Sequence, residues 1–122
     1  MYKTFKEMPI WNQAMDIAVD IFKETDHLPR KEDFCLTSQI RRSALIISAN
    51  IAEAFGRHHK KDKIHFYHIS RGSLTETQSH LEYGLRVGYF KESTLAEFNQ
   101  RLSMLYNEIN RVVLSLKANK GD

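Results

Sequence analysis

The sequence predicts an all-α protein, an antiparallel four-helix bundle with up-down-up-down topology. Apolar residues recur at spacings of three and four in four separate segments, which is the period of helices that face a core. Glycine and proline are few, five and two of 122 residues, and neither proline lies in the interior of these segments. The connections are short, and short connections make consecutive helices antiparallel neighbours. At this length residues 1–122 form a single domain.

The first helix is predicted over 9–25. Pro9 fits the first helical position, where its missing N–H costs nothing. The helix ends before the polar segment "DHLPRKED". The stripe that faces the core comprises Ile10, Ala14, Ile17 and Ile21.

The second helix is predicted over 35–56, with Gly56 at its end. At 100° per residue, one face of this helix is apolar or small and points into the bundle. That face comprises Leu36, Ile40, Ser43, Ala44, Ile47, Ile51 and Ala54.

The third helix is predicted over 62–87 and the fourth over 94–117. In the fourth, Thr94 as N-cap and Glu97 three residues later match a capping box. In the third, the core stripe mixes large apolar residues with small hydroxyl residues. It comprises Phe66, Ser70, Ser73, Leu74, Thr77, Leu81 and Leu85.

Two helices carry apolar residues on their outer faces as well. Leu45, Ala49 and Ala52 point away from the core of the second helix, where charged residues are normal. One chain cannot cover both sides of these helices, so a homo-oligomer is expected. The alternative is that they are isolated exposed apolar residues, which are common. The matching stripe of the third helix is Ile69, Gly72, Glu76, Tyr83 and Val87.

Polar residues recur at intervals of three and four in "SQIRRSALIISANIAEAFGR", residues 38–57. Beside apolar surface, an unpaired amide or carboxylate would cost roughly 1–3 kcal/mol. Glu53 has Arg57 one turn away, so we expect a buried or half-buried hydrogen-bond network that fixes helix register. A catalytic carboxylate would need a pocket that the sequence does not show, so no catalytic residue and no enzyme is predicted. The predicted network comprises Arg42, Asn50, Glu53, Arg57, Arg71 and Glu76.

A basic run, "GRHHKKDK" at 56–63, connects the second and third helices. In an up-down bundle this connection shares one end with both termini. A cyclic oligomer would place all such ends on one rim, which predicts weak, sequence-independent binding of RNA or DNA backbones. The alternative is a protein-binding scaffold whose basic end only aids solubility. The candidate nucleic-acid-binding residues are Lys3, Lys6, His58, His59, Lys60, Lys61, Lys63, Lys117 and Lys120.

Several classes of protein are disfavoured. A single cysteine excludes an intrachain disulfide framework, and no segment has the apolar run of a signal peptide or membrane span. A soluble cytoplasmic protein is therefore expected. A di-iron bundle needs paired Glu-x-x-His motifs, but Glu24 to His27 fits only once, and Glu76 and His80 are four apart. No metal or other cofactor is predicted.

The chain resembles the 23S rRNA intervening-sequence protein family, also called the four-helix bundle protein family. The resemblance runs from "IWNQAMDIAVDIF" through the fourth helix. Its most specific parts are "QIRR", "NIAE", Arg57 and "RGSL" followed by Glu76. Ser48 and Ala54 depart from the proline and glycine that are common in the family, which implies a straighter second helix.

This resemblance implies a four-helix bundle, a ring-shaped assembly with a pentamer favoured, and no enzymatic activity. Some members are encoded inside inserted segments of ribosomal RNA genes. A related branch, the accessory variability determinant of diversity-generating retroelements, works with a reverse transcriptase and binds nucleic acid. A nucleic-acid or ribonucleoprotein accessory role is the function expected from it.

Overall fold

A computed structural model describes residues 1–121 and shows an all-α four-helix bundle, as predicted. The helices are α1 (Pro9–Glu24), α2 (Leu36–Gly56), α3 (Lys60–Arg86) and α4 (Glu92–Ala118). Within the described residues there is no strand, and no helix is long and apolar enough to cross a bilayer. Short 3-10 segments, Phe5–Glu7, Thr25–His27 and Arg30–Glu32, precede α1 and connect α1 to α2.

The four helices surround one apolar core, and helices that are consecutive in the chain are neighbours in the bundle. The main interhelical contacts join α1 to α2, α2 to α3, α3 to α4 and α4 back to α1. The three predicted core stripes of α1, α2 and α3 are largely buried. The large side chains with almost no exposed surface are Ile17, Ile21, Ile40, Ile47, Ile51, Leu74, Leu81, Leu102, Leu105 and Ile109.

The contact between α2 and α3 is made largely through small hydroxyl residues. Ser70 Oγ donates to the Ile47 carbonyl oxygen across the contact at 2.9 Å, and Thr77 Oγ1 lies 2.8 Å from Ser43 Oγ. Small side chains let the two helices approach closely, and the cross-helix bonds satisfy buried hydroxyls that would otherwise destabilise the core. The hydroxyl residues predicted on the core stripe of α3 are therefore confirmed as buried.

The core stripe of α3 differs from the prediction at two aromatic positions. Tyr67 is only 3% exposed, whereas its neighbour Phe66 is half-buried beside the Arg57 guanidinium. Leu85 is also half-buried. Burial raises the pKa of Tyr67 to about 12 because the phenolate would lose solvation.

The predicted capping box at Thr94 is wrong, because α4 begins two residues earlier. Its N-cap is Lys91, and no side chain caps the helix there. The preceding Phe90 is buried in the core, and the backbone N–H groups of Tyr89 and Phe90 donate to the Gly84 carbonyl oxygen at 2.8 and 3.3 Å. Together with the bond from the Gly88 N–H to the Leu85 carbonyl oxygen, these bonds form the local turn that ends α3, and α4 starts directly after it.

The buried Phe90 ring lies against the backbone of α3 at Gly84. A Cβ atom at this position would overlap the ring edge of Phe90, so only glycine allows the ring to pack there. Gly72, in the same helix, has no atom within 4 Å of its would-be Cβ and is exposed. A methyl group would therefore clash at Gly84 and would fit without contact at Gly72.

Gly84→Ala should destabilise the protein by about 1–3 kcal/mol, because the added methyl group overpacks the Phe90 ring. Gly72→Ala is the matched control, and it should stabilise by about 0.5–1 kcal/mol because alanine favours the helix. Urea unfolding of both variants and the parent measures the difference. Equal midpoints for Gly84→Ala and the parent would show that the Phe90 contact carries no such constraint.

Candidate oligomer and nucleic-acid interfaces

The N-terminal segment, the α2–α3 connection and the C-terminus of α4 meet at one end of the bundle. The Phe5–Glu7 segment packs against α2, and Lys60 Nζ donates to the Asn119 carbonyl oxygen at 2.6 Å. We call this region the basic end. It contains the predicted set Lys3, Lys6, His58, His59, Lys60, Lys61, Lys63, Lys117 and Lys120, of which only Lys60 and Lys63 are partly buried.

Lys63 is held by the fold rather than free at the surface. Its Nζ donates to the carbonyl oxygens of Ala54 and Phe55 at 3.1 and 3.2 Å, in the last turn of α2, where carbonyl groups lack the usual helical partners. Burial lowers the pKa of Lys63. A cation at a helix C-terminus also interacts favourably with the helix dipole. Lys63 therefore caps α2, and its charge is less available to a ligand than the exposed lysines are.

The cationic side chains of Lys117 and Arg71 lie near His68 along the seam between α3 and α4. Partial desolvation lowers the pKa of His68, and the charges of Arg71, Lys117 and His65 lower it further. Arg71 Nη1 donates to Asn110 Oδ1 of α4 at 2.6 Å. We call His65, His68, Arg71 and Lys117 the seam cluster. Of the four residues of the seam cluster, the sequence predicted only Lys117 as a candidate nucleic-acid-binding residue. The spacing of three between His68 and Arg71, which places them on one helix face, was the signal for these two.

The predicted polar network is only partly formed within one chain. Glu53 pairs with Arg57 at 3.0 Å as expected, but these side chains are 49% and 45% exposed. Asn50 Nδ2 donates to the Ile46 carbonyl oxygen of its own helix at 2.9 Å. In the described part of the chain, Arg42 makes no hydrogen bond and is exposed. Burial of these groups stays a prediction for an assembled form.

Arg71 does not serve as the expected partner for α2. It lies beside α4, while Glu76 pairs with His80 at 3.3 Å on another face of α3. Five residues at 100° each place Arg71 and Glu76 about 140° apart around the helix. Within one chain Arg71 therefore bonds α4 rather than α2, and the place of Arg71 and Glu76 in the network stays a prediction for an assembled form.

The outer faces of α2 and α3 are exposed, as their apolar patterns predicted. Leu45 is 56% exposed, and Ile69, Tyr83 and Val87 are also exposed. On the α1 side, Leu45 borders a groove of about 270 Å³ between α1 and α2. The other lining residues are Met15, Ala18, Val19, Phe22 and Arg41.

Arg41 is anchored at this groove. Its Nε donates to Thr25 Oγ1 at 2.8 Å, and its guanidinium carbon lies 4.3 Å from the centre of the Phe22 ring. The groove therefore has a fixed cationic edge beside an apolar floor, which suits a protein surface better than a phosphate backbone.

Comparisons with known proteins agree with this architecture. The family described as 23S rRNA-intervening sequence protein matches residues 6–111. No curated protein matches the chain. Among solved structures, the chain is similar to one from Bacteroides thetaiotaomicron, described as a protein with unknown function from the S23 ribosomal protein family. The TM-score is 0.76 at 23% identity, covering 85% of this chain and 97% of that one, a likeness that shows the fold alone.

Lys63→Met should lower the free energy of unfolding by about 1–2 kcal/mol, because two carbonyl groups at the end of α2 lose a charged donor. Lys61→Met, which removes an exposed lysine of the same segment, should stay within about 0.5 kcal/mol of the parent. Chemical denaturation followed by circular dichroism tests both. Equal losses in the two variants would mean that Lys63 does not cap the helix.

Proposed function

Because the chain belongs to the 23S rRNA-intervening sequence protein family, we propose that it is a non-enzymatic homo-oligomer that binds the phosphate backbone of RNA or DNA. The observation that carries this proposal is the basic end, where three separate parts of the chain contribute cationic side chains. Most of these lysines are exposed and able to contact a polyanion. An accessory role to a nucleic acid or a ribonucleoprotein follows from such a surface.

Self-association is supported by the exposed apolar residues of α2 and α3. Large exposed apolar residues occur on all four helices, and those of α2 and α3 lie on the outer faces that the sequence predicted. Exposed apolar surface of this kind is typical of protein interfaces. A second subunit covering this surface would also desolvate the Glu53–Arg57 pair. In a cyclic assembly each subunit presents the same end to the same side. The family resemblance favours a pentamer.

Nucleic-acid binding is supported by the cationic side chains of the basic end and by their repetition in an oligomer. Each phosphate neutralised by lysine or arginine releases condensed counterions, which makes the affinity strongly salt-dependent. One subunit offers few contacts, but an oligomer repeats them along one rim. A strand that reaches several subunits then gains an effective concentration for each further contact.

A second candidate function is a protein-binding scaffold. The groove between α1 and α2 favours it, because its floor is apolar and its edge carries the anchored Arg41. In that case the parent protein would bind no nucleic acid even at low salt, and a salt titration of DNA binding would show this.

The oligomer should be stable at micromolar concentration, as measured by sedimentation equilibrium. Leu45→Glu places a charge on the exposed apolar face of α2 and should shift the protein toward monomer, because the charge would have to be desolvated at the interface. Met104→Glu is the control, since Met104 is similarly exposed but lies on α4. A parent protein that sediments as a monomer would exclude the assembly.

Nucleic-acid binding should depend on lysines of the basic end in particular. The triple variant Lys3→Glu, Lys6→Glu, Lys61→Glu reverses exposed charges there and spares the capping Lys63. Binding to duplex DNA should weaken sharply, and the slope of log affinity against log salt should fall by about 0.9 for each lost phosphate contact. A salt titration followed by fluorescence anisotropy measures both quantities.

The matched control changes net charge equally at the other end of the bundle, with Lys23→Glu, Lys31→Glu and Lys91→Glu. All three control lysines are exposed. Equal weakening in the two triple variants would show that only net charge matters. Absence of parent binding at low salt would leave the scaffold function as the better account.

A further inference from the structure

The seam between α3 and α4 contains a polar pocket directly beyond the seam cluster. The pocket has a volume of about 290 Å³ and lies in the same seam as the Arg71–Asn110 hydrogen bond. Its lining residues are Thr75, Gln78, Ser103, Tyr106 and Asn107.

The pocket and the seam cluster are physically continuous. The Arg71 guanidinium carbon lies 5.9 Å from the centre of the Tyr106 ring, and Tyr106 also lines the pocket. Thr75 Oγ1, on the pocket wall, donates to the Arg71 carbonyl oxygen at 3.2 Å. A molecule that contacts Arg71 can therefore extend into the pocket without leaving the seam.

The pocket lining has the chemistry of a neutral hydrogen-bonding site beside an aromatic ring. Gln78 and Asn107 each offer an amide donor and an amide acceptor, and neither side chain bonds another group in the described part of the chain. Ser103 adds a hydroxyl group, and the lining contains no carboxylate, amine or guanidinium group. Amides that can donate and accept at once match the edges of nucleobases.

We propose that the α3–α4 seam binds single-stranded nucleic acid, with phosphates on the seam cluster and one unpaired base in the polar pocket. This inference rests on the proposed nucleic-acid function and assigns it a substrate class. Arg71 and Gln78 are seven residues apart, about 10 Å along the helix axis, so cationic and base-binding groups lie in sequence along one line.

A single strand fits this arrangement better than a duplex does. The bases of a duplex are stacked and paired, whereas unpaired bases can turn outward to stack on aromatic rings and pair with side-chain amides. The pocket volume corresponds to roughly ten water molecules, which is room for a purine ring system. Base contacts of this kind are worth about 1–3 kcal/mol each, enough to produce a measurable preference.

The experiment compares three labelled ligands by fluorescence anisotropy: a short oligodeoxyadenylate, the same backbone with abasic sites, and the duplex. The parent should bind the base-bearing single strand about 5- to 100-fold more tightly than the abasic strand. Gln78→Ala with Asn107→Ala should reduce that preference to what stacking on Tyr106 alone provides and leave abasic and duplex binding unchanged. Alanine favours helices, so both helices should persist, as circular dichroism will verify.

The control double variant, Gln13→Ala with Gln100→Ala, removes two amides from helices α1 and α4 outside the pocket. It should keep the full base preference. Equal parent affinity for the base-bearing and abasic strands, or equal behaviour of the two double variants, would overturn the base-binding pocket while leaving backbone binding in place. Failure to bind any of the three ligands at low salt would overturn the proposed function as well.

Discussion

The close contact of α2 with α3 through small hydroxyl residues is the constraint on which the surfaces of this protein depend. Ser43, Ser70 and Thr77 are too small to hold the helices apart, and their hydrogen bonds cross the contact in a dry core. Apolar replacements of larger volume would separate the helices and leave the remaining buried hydroxyl groups without their partners. Because this contact continues to the helix ends, Lys63 at the start of α3 can reach the last carbonyl groups of α2.

α3 packs against α4 on a different face from the one that contacts α2. The helical period then sends Arg71 to Asn110, and the apolar residues Ile69 and Tyr83 to the outer surface. An apolar face for self-association and a cationic seam for a polyanion can therefore coexist on one helix. A partner could cover the apolar face and leave the seam accessible, since the two surfaces lie on different sides of α3.

The sequence predicted the four helices and most of the core because helical periodicity is a local property that a single chain displays. It could not distinguish a free lysine from a capping one, since Lys63 acquires its carbonyl partners only when α2 and α3 pack. The Thr94 capping box failed for a similar reason. The start of α4 follows the turn in which Phe90 packs on Gly84, and burial of the Phe90 ring in the core outweighed the capping preference at Thr94. Tyr67 was misjudged because the wheel gives angles but not which helix lies at each angle, and for the same reason the sequence could not place Arg71 beside α4.

The two candidate nucleic-acid surfaces place different demands on assembly. Backbone contacts at the basic end are individually weak and screened by salt, so useful affinity there depends on several subunits acting together. The seam combines cations, an aromatic ring and free amides within one subunit, so any base preference would persist in a monomer. Disrupting the oligomer should consequently reduce overall affinity more than base preference. Affinity and base preference would respond differently because the seam is built wholly from α3 and α4 of one subunit, whereas a rim of basic ends would form only in a cyclic assembly.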